Sequence, residues 1–402
     1  MLIRYYRQNY LIGLDKVKFL MKIIYIANSI VPSTSANSIH VMKMCEAFTI
    51  NNIDIELILP NFQEHGLMND EYVFYGIKNK FKITRNRLVN KSPNGFLNYI
   101  FSLTSVVYAI FIGCDLIFTR NPLVSFFCII FGRKHILEMH DRVASVSRLL
   151  SKLLKLLKLF NSNKLLQLIV ISKPLQDLYL NEFSIKHDKI IVLPDGVTYE
   201  NFIKVNQRSF FTDKNIQIGY FGSLWPGKGI DKIISLANIY QNCKFNIYGG
   251  NEKQIKDYKD KISSFGINNI TFFGYLPNKN IPKQMCKHDI LLMPNQTKMF
   301  TRGSKSNIAD FTSPLKMFEY MASGRIIVSS DLLVLREVLN ETNSFLVVPD
   351  NLQQWIETIE YIILNKDIAI KRASQAKKDV MAYTWDVRVK KILGVLNVKY
   401  KN

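Results

Sequence analysis

Short apolar runs alternate with helical segments along most of the chain, and this alternation limits the possible folds more than any other feature. Residues 168–171 and 290–294 are runs of this kind, each long enough for one strand. Uninterrupted apolar strands linked by helices are typical of parallel sheets covered on both faces. With 402 residues, the sequence predicts an α/β protein built from two doubly wound domains.

The composition restricts the class of protein further. The chain is 48% hydrophobic, which excludes a disordered composition, and its net charge of +21 favours polyanionic partners. A general bias towards lysine and asparagine is an alternative explanation of that charge. The five cysteines are odd in number and form no C-x-x-C pair, so disulfides and structural zinc are not expected. A reducing cytosol is the expected compartment.

Residues 310–330 read as a loop, a helix, a turn and a buried strand. Ser313 is expected to cap the helix, Pro314 to occupy its first position and Gly324 to end it. A helix start offers free N–H groups to an anion. Lys316 in the first turn is unfavourable for the helix dipole, and a bound anion would explain it. The alternative is an ordinary capped helix followed by a strand.

A glycine-containing turn follows the strand at residues 216–222, and it begins like a phosphate-binding loop. Gly222 and Lys228 fit the pattern G-x-x-x-x-G-K. However, Gly229 stands where a nucleoside triphosphatase needs Ser or Thr for magnesium, and Pro226 removes an amide donor. The sequence therefore does not predict a nucleoside triphosphatase.

Together these motifs resemble family 4 retaining glycosyltransferases, which have the GT-B fold. The related branch carries Ser-Pro-Leu-Lys-x-Phe-Glu-Tyr-Met-Ala-x-Gly, which residues 313–324 match, and the resemblance covers most of the chain after Met21. It implies two Rossmann-like domains facing each other across a cleft. The implied parts are an N-terminal extension (1–20), an acceptor-binding domain (21–205), a donor-binding domain (206–383) and a C-terminal helix that crosses back to the first domain (384–402).

The resemblance also implies the residues of the donor site. Glu319 matches the second acid of the family's E-x7-E motif, which holds the donor ribose. Phe311 stands where the first acid is expected, so Asp310, one residue away, is the candidate replacement, and little is expected of Phe311. The polar loop at 295–312 is predicted to be a lid. The remaining donor-binding residues are Gly222 and Lys228, Tyr275 beside the nucleobase, and Ser313, Pro314, Leu315 and Lys316 at the diphosphate.

Other candidates lie in the first half of the chain. His140 follows a predicted strand, and the family pattern of His followed by an acid places it beside the reacting sugar. The alternative is a structural or surface histidine. Ser35, Ala36 and Asn37 are small residues between a strand and a helix, and they predict an acceptor or phosphate loop. His40, early in that helix, is interpreted as a surface residue.

No D-x-D triplet occurs in the chain, so no metal site on the donor phosphates and no cofactor are expected. The leaving nucleoside diphosphate would then be stabilised by Lys228, Lys316 and the helix start. The resemblance implies retention of anomeric configuration, with the leaving phosphate helping to deprotonate the acceptor hydroxyl.

Three segments concern a membrane. Residues 148–160 have the pattern of a basic amphipathic helix, which suits either an anionic membrane surface or packing on the chain's own domain. Residues 1–20 are basic and aromatic, and they are either an extension without a role or a second interfacial segment. Residues 96–118 are apolar, but a helix followed by a strand explains them better than a membrane span. The expected location is the cytoplasm, peripherally at the inner face of the cell membrane.

Three functions remain open from the sequence. The first is a hexosyltransferase-type enzyme that moves a sugar from a nucleotide-sugar to a lipid-linked or surface-polysaccharide acceptor. The second is a GT-B epimerase acting on a free nucleotide sugar. The third is a nucleic-acid-binding protein, which charge alone suggests and which no recognisable module supports, so no nucleic-acid partner is expected.

Overall fold

The structure is a computed structural model that describes residues 21–63, 70–145, 147–206, 208–299, 307 and 309–400, with only the backbone at 397–400. The predicted extension at 1–20 lies outside the described residues, as do residues 300–306 and 308 of the predicted lid.

The first half of the chain forms a seven-stranded parallel sheet in the order β3-β2-β1-β4-β5-β6-β7. Strands β5 and β6 are buried at every position, as expected where helices cover both faces. The strands are β1 (Lys22–Ile26), β2 (Asp54–Pro60), β3 (Lys82–Asn86), β4 (Leu116–Thr119), β5 (His135–Met139), β6 (Leu165–Val170) and β7 (Ile190–Val192).

The second half forms a six-stranded parallel sheet in the order β10-β9-β8-β11-β12-β13. Its strands are β8 (Ile216–Phe221), β9 (Cys243–Tyr248), β10 (Ile270–Gly274), β11 (Ile290–Met293), β12 (Ile326–Ser330) and β13 (Phe345–Val347). Two parallel sheets with interleaved helices confirm the predicted α/β architecture.

Helices connect the strands in both halves. Those of the first half are α1 (Ala36–Ile50), α2 (Glu71–Tyr75), α3 (Phe96–Ile112), α4 (Pro122–Ile130), α5 (Arg148–Leu156), α6 (Lys173–Phe183) and α7 (Glu200–Ile203). Those that follow are α8 (Ile230–Ile239), α9 (Glu252–Ser264), α10 (Ile281–Met285), α11 (Leu315–Ser323), α12 (Leu352–Leu364), α13 (Lys366–Asp379) and α14 (Trp385–Tyr400).

Helix α14 packs on the first half of the chain. Trp385, Val389, Ile392 and Leu396 belong to the same buried cluster as Phe48 of α1. The last helix therefore contributes to the hydrophobic core around β1.

Residues that follow the carboxyl ends of the two sheets meet each other. The Ser172 hydroxyl, after β6, donates a hydrogen bond of 3.1 Å to the carbonyl of Phe311. The ring of Tyr275, after β10, stacks on Phe74 of α2 with centroids 6.4 Å apart. Ligands of open α/β sheets bind at such carboxyl ends, so the functional site is sought here.

Two local expectations are wrong. Helix α11 begins at Leu315 with Pro314 at the N-cap, and Ser313 is not the cap, because its hydroxyl accepts a hydrogen bond of 3.0 Å from the backbone N–H of Asp195. Helix α5 ends at Leu156 rather than at residue 160, since Lys158 adopts a left-handed conformation with φ of 48°. Among the described residues, none of the helices combines the length and the apolar character needed to cross a membrane.

Candidate active site

The turn after β8 brings Gly222 close to Lys316 of α11. A Cβ on Gly222 would lie 3.1 Å from the hydroxyl of Tyr220 and 3.6 Å from Nζ of Lys316. Gly229, at the end of the turn, has φ of +79°, and a Cβ there would lie 2.0 Å from the carbonyl oxygen of Pro294. Both positions therefore favour glycine, and the close contact at Gly229 fixes the turn that carries Lys228.

Lys228 and Lys316 form the most unusual charge arrangement of the second half. Nζ of Lys316 is buried without a hydrogen-bond partner and lies 4.4 Å from the centroid of the Tyr220 ring. Lys228 Nζ contacts only the sulfur of Met299, at 3.8 Å. Neither lysine pairs with a carboxylate in the part of the chain that the structure describes.

Burial explains the electrostatics of this pair. It lowers the pKa of Lys228 to about 8. Burial and the nearby charge of Lys228 hold the pKa of Lys316 well below its ordinary value. A buried ammonium without a hydrogen bond is unfavourable, and a phosphate oxygen would satisfy both lysines. We call Gly222, Lys228 and Lys316 the lysine cradle.

Glu319 lies on α11, one turn after Lys316, and faces the first half of the chain. Burial raises its pKa to about 7, and the charge of Lys43 on α1 opposes that rise. Tyr275 is 43% exposed. Both residues therefore border the space between the two sheets, as a donor site requires.

The loop before α11 differs from its sequence interpretation. Asp310 is exposed and forms no ion pair with the described residues. Phe311 is buried in a cluster with Leu137 and Leu168 of the first sheet, and the Arg142 guanidinium lies 5.3 Å from the centroid of its ring. The Phe311 side chain thus joins the two halves of the chain, and the small effect of Phe311→Ala expected on transfer stays a prediction.

A buried polar network lies at the carboxyl end of the first sheet. The ring nitrogens of His40 each approach a carboxylate: Nδ1 lies 2.8 Å from Asp195 and Nε2 lies 2.8 Å from Glu138. Glu138 also contacts Nε2 of His140 at 2.5 Å. The Arg388 guanidinium, from α14, donates a hydrogen bond of 3.2 Å to one oxygen of Glu138 and lies at ion-pair distance, also 3.2 Å, from the other. We call His40, Glu138, His140, Asp195 and Arg388 the histidine network.

The charges of the network follow from these contacts. Nδ1 of His40 is hydrogen-bonded to Asp195, while Nε2 lies at ion-pair distance from Glu138 without hydrogen-bond geometry. Although burial opposes ionisation, Arg388 and His40 hold the pKa of Glu138 well below its usual range. In the same way, His40 outweighs burial and lowers the pKa of Asp195.

The charge of His140 follows from its surroundings. Burial and the nearby Arg120 lower the pKa of His140 to about 4, so its ring is neutral near pH 7. Because Nε2 faces the ionised Glu138, the proton lies on that nitrogen, and Nδ1 is left as a hydrogen-bond acceptor. The network thereby fixes the tautomer of the residue that the sequence predicts beside the reacting sugar.

Four residues of the histidine network also have the side chains of metal ligands. Ligand atoms of His40, Glu138, His140 and Asp195 lie within 4.8 Å of one another, close enough to share a cation. However, the Arg388 guanidinium contacts both oxygens of Glu138 at 3.2 Å, so a positive charge already lies where a cation would bind. The donor set therefore fits an ion-pair network better than a metal centre.

The predicted acceptor loop lies near this network. Ser35 caps α1 by accepting a hydrogen bond from the backbone N–H of Ser38. Ala36 is exposed. Asn37 accepts a hydrogen bond of 2.6 Å from Arg120 and, with His140, lines a cavity of about 220 Å³. Of the three loop residues, the structure brings only Asn37 to the cavity.

Sequence reasoning missed four members of the network. The interpretation of His40 as a surface residue is wrong, since its side chain is only 1% exposed. Glu138 had a usable signal, because residues two apart on a strand share a face and His140 follows it by two. Asp195 and Arg388 reach the site from distant segments, and nothing in their local sequence indicates it.

Comparisons with known proteins agree with this geometry. The family model described as glycosyl transferases group 1 matches residues 215–365. An uncharacterised glycosyltransferase of Methanocaldococcus jannaschii is 23% identical over 264 residues, covering 62% of this chain and 64% of the relative. The match therefore spans just under two thirds of the length of that relative.

Solved structures of similar fold cover nearly the whole chain. Sucrose-phosphate synthase from Thermosynechococcus elongatus aligns with a TM-score of 0.70 at 14% identity, over 94% of this chain and 99% of the other. Anabaena HepE, solved in complex with UDP-glucose, aligns with a TM-score of 0.68 at 16% identity, over 94% and 100%.

The two sheets and these likenesses show the GT-B fold. More particularly, residues 215–365, which carry the lysine cradle and Glu319, form a group 1 glycosyltransferase domain. The resemblance seen in the sequence is thus confirmed for the fold and, at residues 215–365, for the glycosyltransferase domain.

Proposed function

We propose that the chain transfers a sugar from a nucleotide-sugar donor to a lipid-linked or surface-polysaccharide acceptor, with retention of anomeric configuration. The observation that carries the proposal is the lysine cradle. A buried, unpartnered ammonium beside a second lysine is the arrangement that a diphosphate would neutralise.

In this proposal the cradle stabilises the charge that develops on the leaving nucleoside diphosphate. Positioned cations in a water-poor site act strongly on such charge, because they need no rearrangement during the reaction. The free N–H groups at the start of α11, from Leu315 onward, add to the field. No step requires a metal ion, and the leaving phosphate takes the proton of the acceptor hydroxyl.

The other residues are assigned by position. Glu319 holds the ribose hydroxyls, Tyr275 lies beside the base, and His140 offers Nδ1 to a hydroxyl of the reacting sugar. The known complex of the similar HepE with UDP-glucose supports a nucleotide-sugar as the donor. The cavity beside His140 favours transfer to an acceptor over the epimerase alternative, which has no observation of its own in its favour.

Helix α5 supports a location at the cytosolic face of the membrane. Leu150 and Leu154 pack into the first half of the chain, while Leu149 and Leu156 are exposed together with Lys152 and Lys155. Exposed leucines beside lysines suit an anionic lipid surface. Flotation with anionic and with neutral vesicles tests this, and equal flotation with both would contradict the assignment.

Donor binding is tested by thermal shift with the diphosphates of uridine, guanosine, thymidine and adenosine. One of them at a hundredfold excess over its dissociation constant should stabilise the protein by about 2.7 kcal/mol. Lys316→Met should abolish that stabilisation, whereas Lys256→Met, an exposed lysine on α9, should retain it. Equal binding by both variants, or no binding of any nucleotide by the unmodified chain, would overturn the proposal.

A further inference from the structure

The cavity beside His140 has a polar wall that is already fixed by hydrogen bonds. Asn98, at the start of α3, accepts hydrogen bonds from the side-chain amides of Asn28 at 3.1 Å and of Asn121 at 2.7 Å. The volume of the cavity, about 220 Å³, suits a group of monosaccharide size rather than a drug-sized ligand. Because its amides bind each other, the wall does not have to reorganise to receive a ligand.

Two guanidinium groups, those of Arg120 and Arg142, line this cavity. Arg120 hydrogen-bonds the neutral amide of Asn37, and Arg142 lies near the ring of Phe311. Neither forms an ion pair with a carboxylate of the described residues, although Asp141 also lines the cavity, where it accepts from the backbone N–H of Arg142 at 2.7 Å. Two arginines against one carboxylate leave the cavity with a positive excess, and each guanidinium offers a bidentate fork to a phosphate or carboxylate.

An exposed apolar surface begins beside the cavity. Phe96 is 77% exposed and Tyr99 is 37% exposed, and on α3 they flank Asn98 of the cavity wall. The Tyr99 hydroxyl lies 3.4 Å from the hydroxyl of Ser147, which caps α5, so the apolar start of α3 adjoins the start of that helix. Leu149, in the first turn of α5, is 74% exposed.

This apolar surface continues along α3. Leu103, Val107 and Phe111 follow Tyr99 at intervals of four residues, and all three are exposed. Such spacing places them on one side of the helix. An apolar chain that leaves the cavity therefore has a continuous surface to lie on.

We propose that the acceptor is an anionic amphiphile, whose negative group binds Arg120 and Arg142 and whose apolar chain lies along α3. This inference rests on the proposed function and narrows its acceptor to a lipid-linked molecule. The negative group, a phosphate or a sugar carboxylate, lies next to His140 and so next to the reacting centre.

The experiment uses four small probes and isothermal titration of the full chain. Octyl phosphate and octyl glucuronide carry the two kinds of negative group, octyl glucoside is neutral, and inorganic phosphate has no tail. All are measured with saturating nucleoside diphosphate, so that the lysine cradle is occupied. The variants are Arg120→Gln/Arg142→Gln and Phe96→Ser, with Arg133→Gln and Phe265→Ser as exposed controls elsewhere.

At least one anionic octyl probe should bind about tenfold or more tightly than octyl glucoside and than inorganic phosphate. The double arginine variant should lose about tenfold or more of that affinity, as expected when charge-assisted hydrogen bonds are removed. Phe96→Ser should weaken both octyl anions severalfold, and the two controls should change neither. Which octyl anion binds more tightly identifies the negative group as phosphate or carboxylate.

The inference is overturned if the neutral glucoside binds as tightly as both octyl anions, or if the double variant keeps the full anion affinity. It is also overturned if inorganic phosphate binds as well as octyl phosphate. The proposed function is judged separately by the nucleotide: a chain that binds nucleoside diphosphate but shows no anion preference loses only this inference.

Discussion

Replacement of His40 by leucine tests the histidine network most severely. The substitution leaves Glu138 and Asp195 buried without the ring that contacts both at 2.8 Å. At that distance a unit charge pair would be worth about 6 kcal/mol at an effective dielectric constant of 20. Part of this is offset because the histidine no longer has to be desolvated. The free energy of unfolding should therefore fall by about 3–5 kcal/mol, the usual cost of removing one partner from a buried ion pair.

The pH dependence gives this prediction its sign. His40 and its partners hold the pKa values of Glu138 and Asp195 below the ordinary range, so their stabilisation is present at pH 7 and is lost as the pH falls through the folded-state pKa values. Without His40, these carboxylates take up protons at a higher pH, which relieves their buried charge. The stability difference between wild type and His40→Leu should therefore shrink as the pH falls from 7 towards 5.

The assay is urea unfolding at pH 5, 6, 7 and 8, followed by far-ultraviolet circular dichroism and by fluorescence of Trp385, whose ring lies 5.1 Å from His40. His187→Leu, an exposed histidine, is the matched control and should change stability by less than about 0.5 kcal/mol. A loss below about 1 kcal/mol for His40→Leu, or a loss that is equal at all four pH values, would refute the reasoning.

Three further predictions concern the second half of the chain. Phe311→Ala should lower the free energy of unfolding by about 3 kcal/mol in urea titrations, because it removes a ring buried against the first sheet; a loss below about 1 kcal/mol would show that this contact is not formed. Glu319 should bind the donor ribose better when ionised, and since burial raises its pKa to about 7, donor affinity measured by titration should rise between pH 6 and 7, below the pKa of about 8 at which Lys228 loses its charge. Glu319→Gln should flatten that profile, and an unchanged slope would assign the titration to another group. Lys228→Ala should reduce transfer at least about a hundredfold in steady-state kinetics, and near-normal turnover would remove this lysine from the cradle.

Much of the fold is predictable from the sequence, because buried parallel strands usually appear there as uninterrupted apolar runs. The run at 290–294 corresponds to β11, and the helix before Gly324 ends at Ser323 as its glycine indicates. The start of the same helix was missed by one residue. Ser313 has the side chain of a good cap, but its hydroxyl oxygen accepts a hydrogen bond from the backbone N–H of Asp195, 118 residues earlier. A capping rule based on local sequence does not include a donor that lies so far away in the chain.

The site shows the same division between local and distant information. The lysine cradle lies within two short motifs, so the spacing around Gly222 and Lys316 was enough to predict its residues. The histidine network draws on α1, β5, the segment after β7 and α14. His40 meets Asp195 across 155 residues and Arg388 meets Glu138 across 250. A histidine near the start of a helix is usually exposed, whereas the packing of α14, whose Trp385 ring contacts His40, buries this one.

A crystal structure with the nucleoside diphosphate identified by thermal shift tests most directly whether the lysine cradle binds the diphosphate of an activated sugar. The account predicts the terminal phosphate within hydrogen-bonding distance, about 3 Å, of Nζ of both Lys228 and Lys316. A nucleotide bound elsewhere on the chain, with both ammonium groups left without a phosphate oxygen, would contradict it.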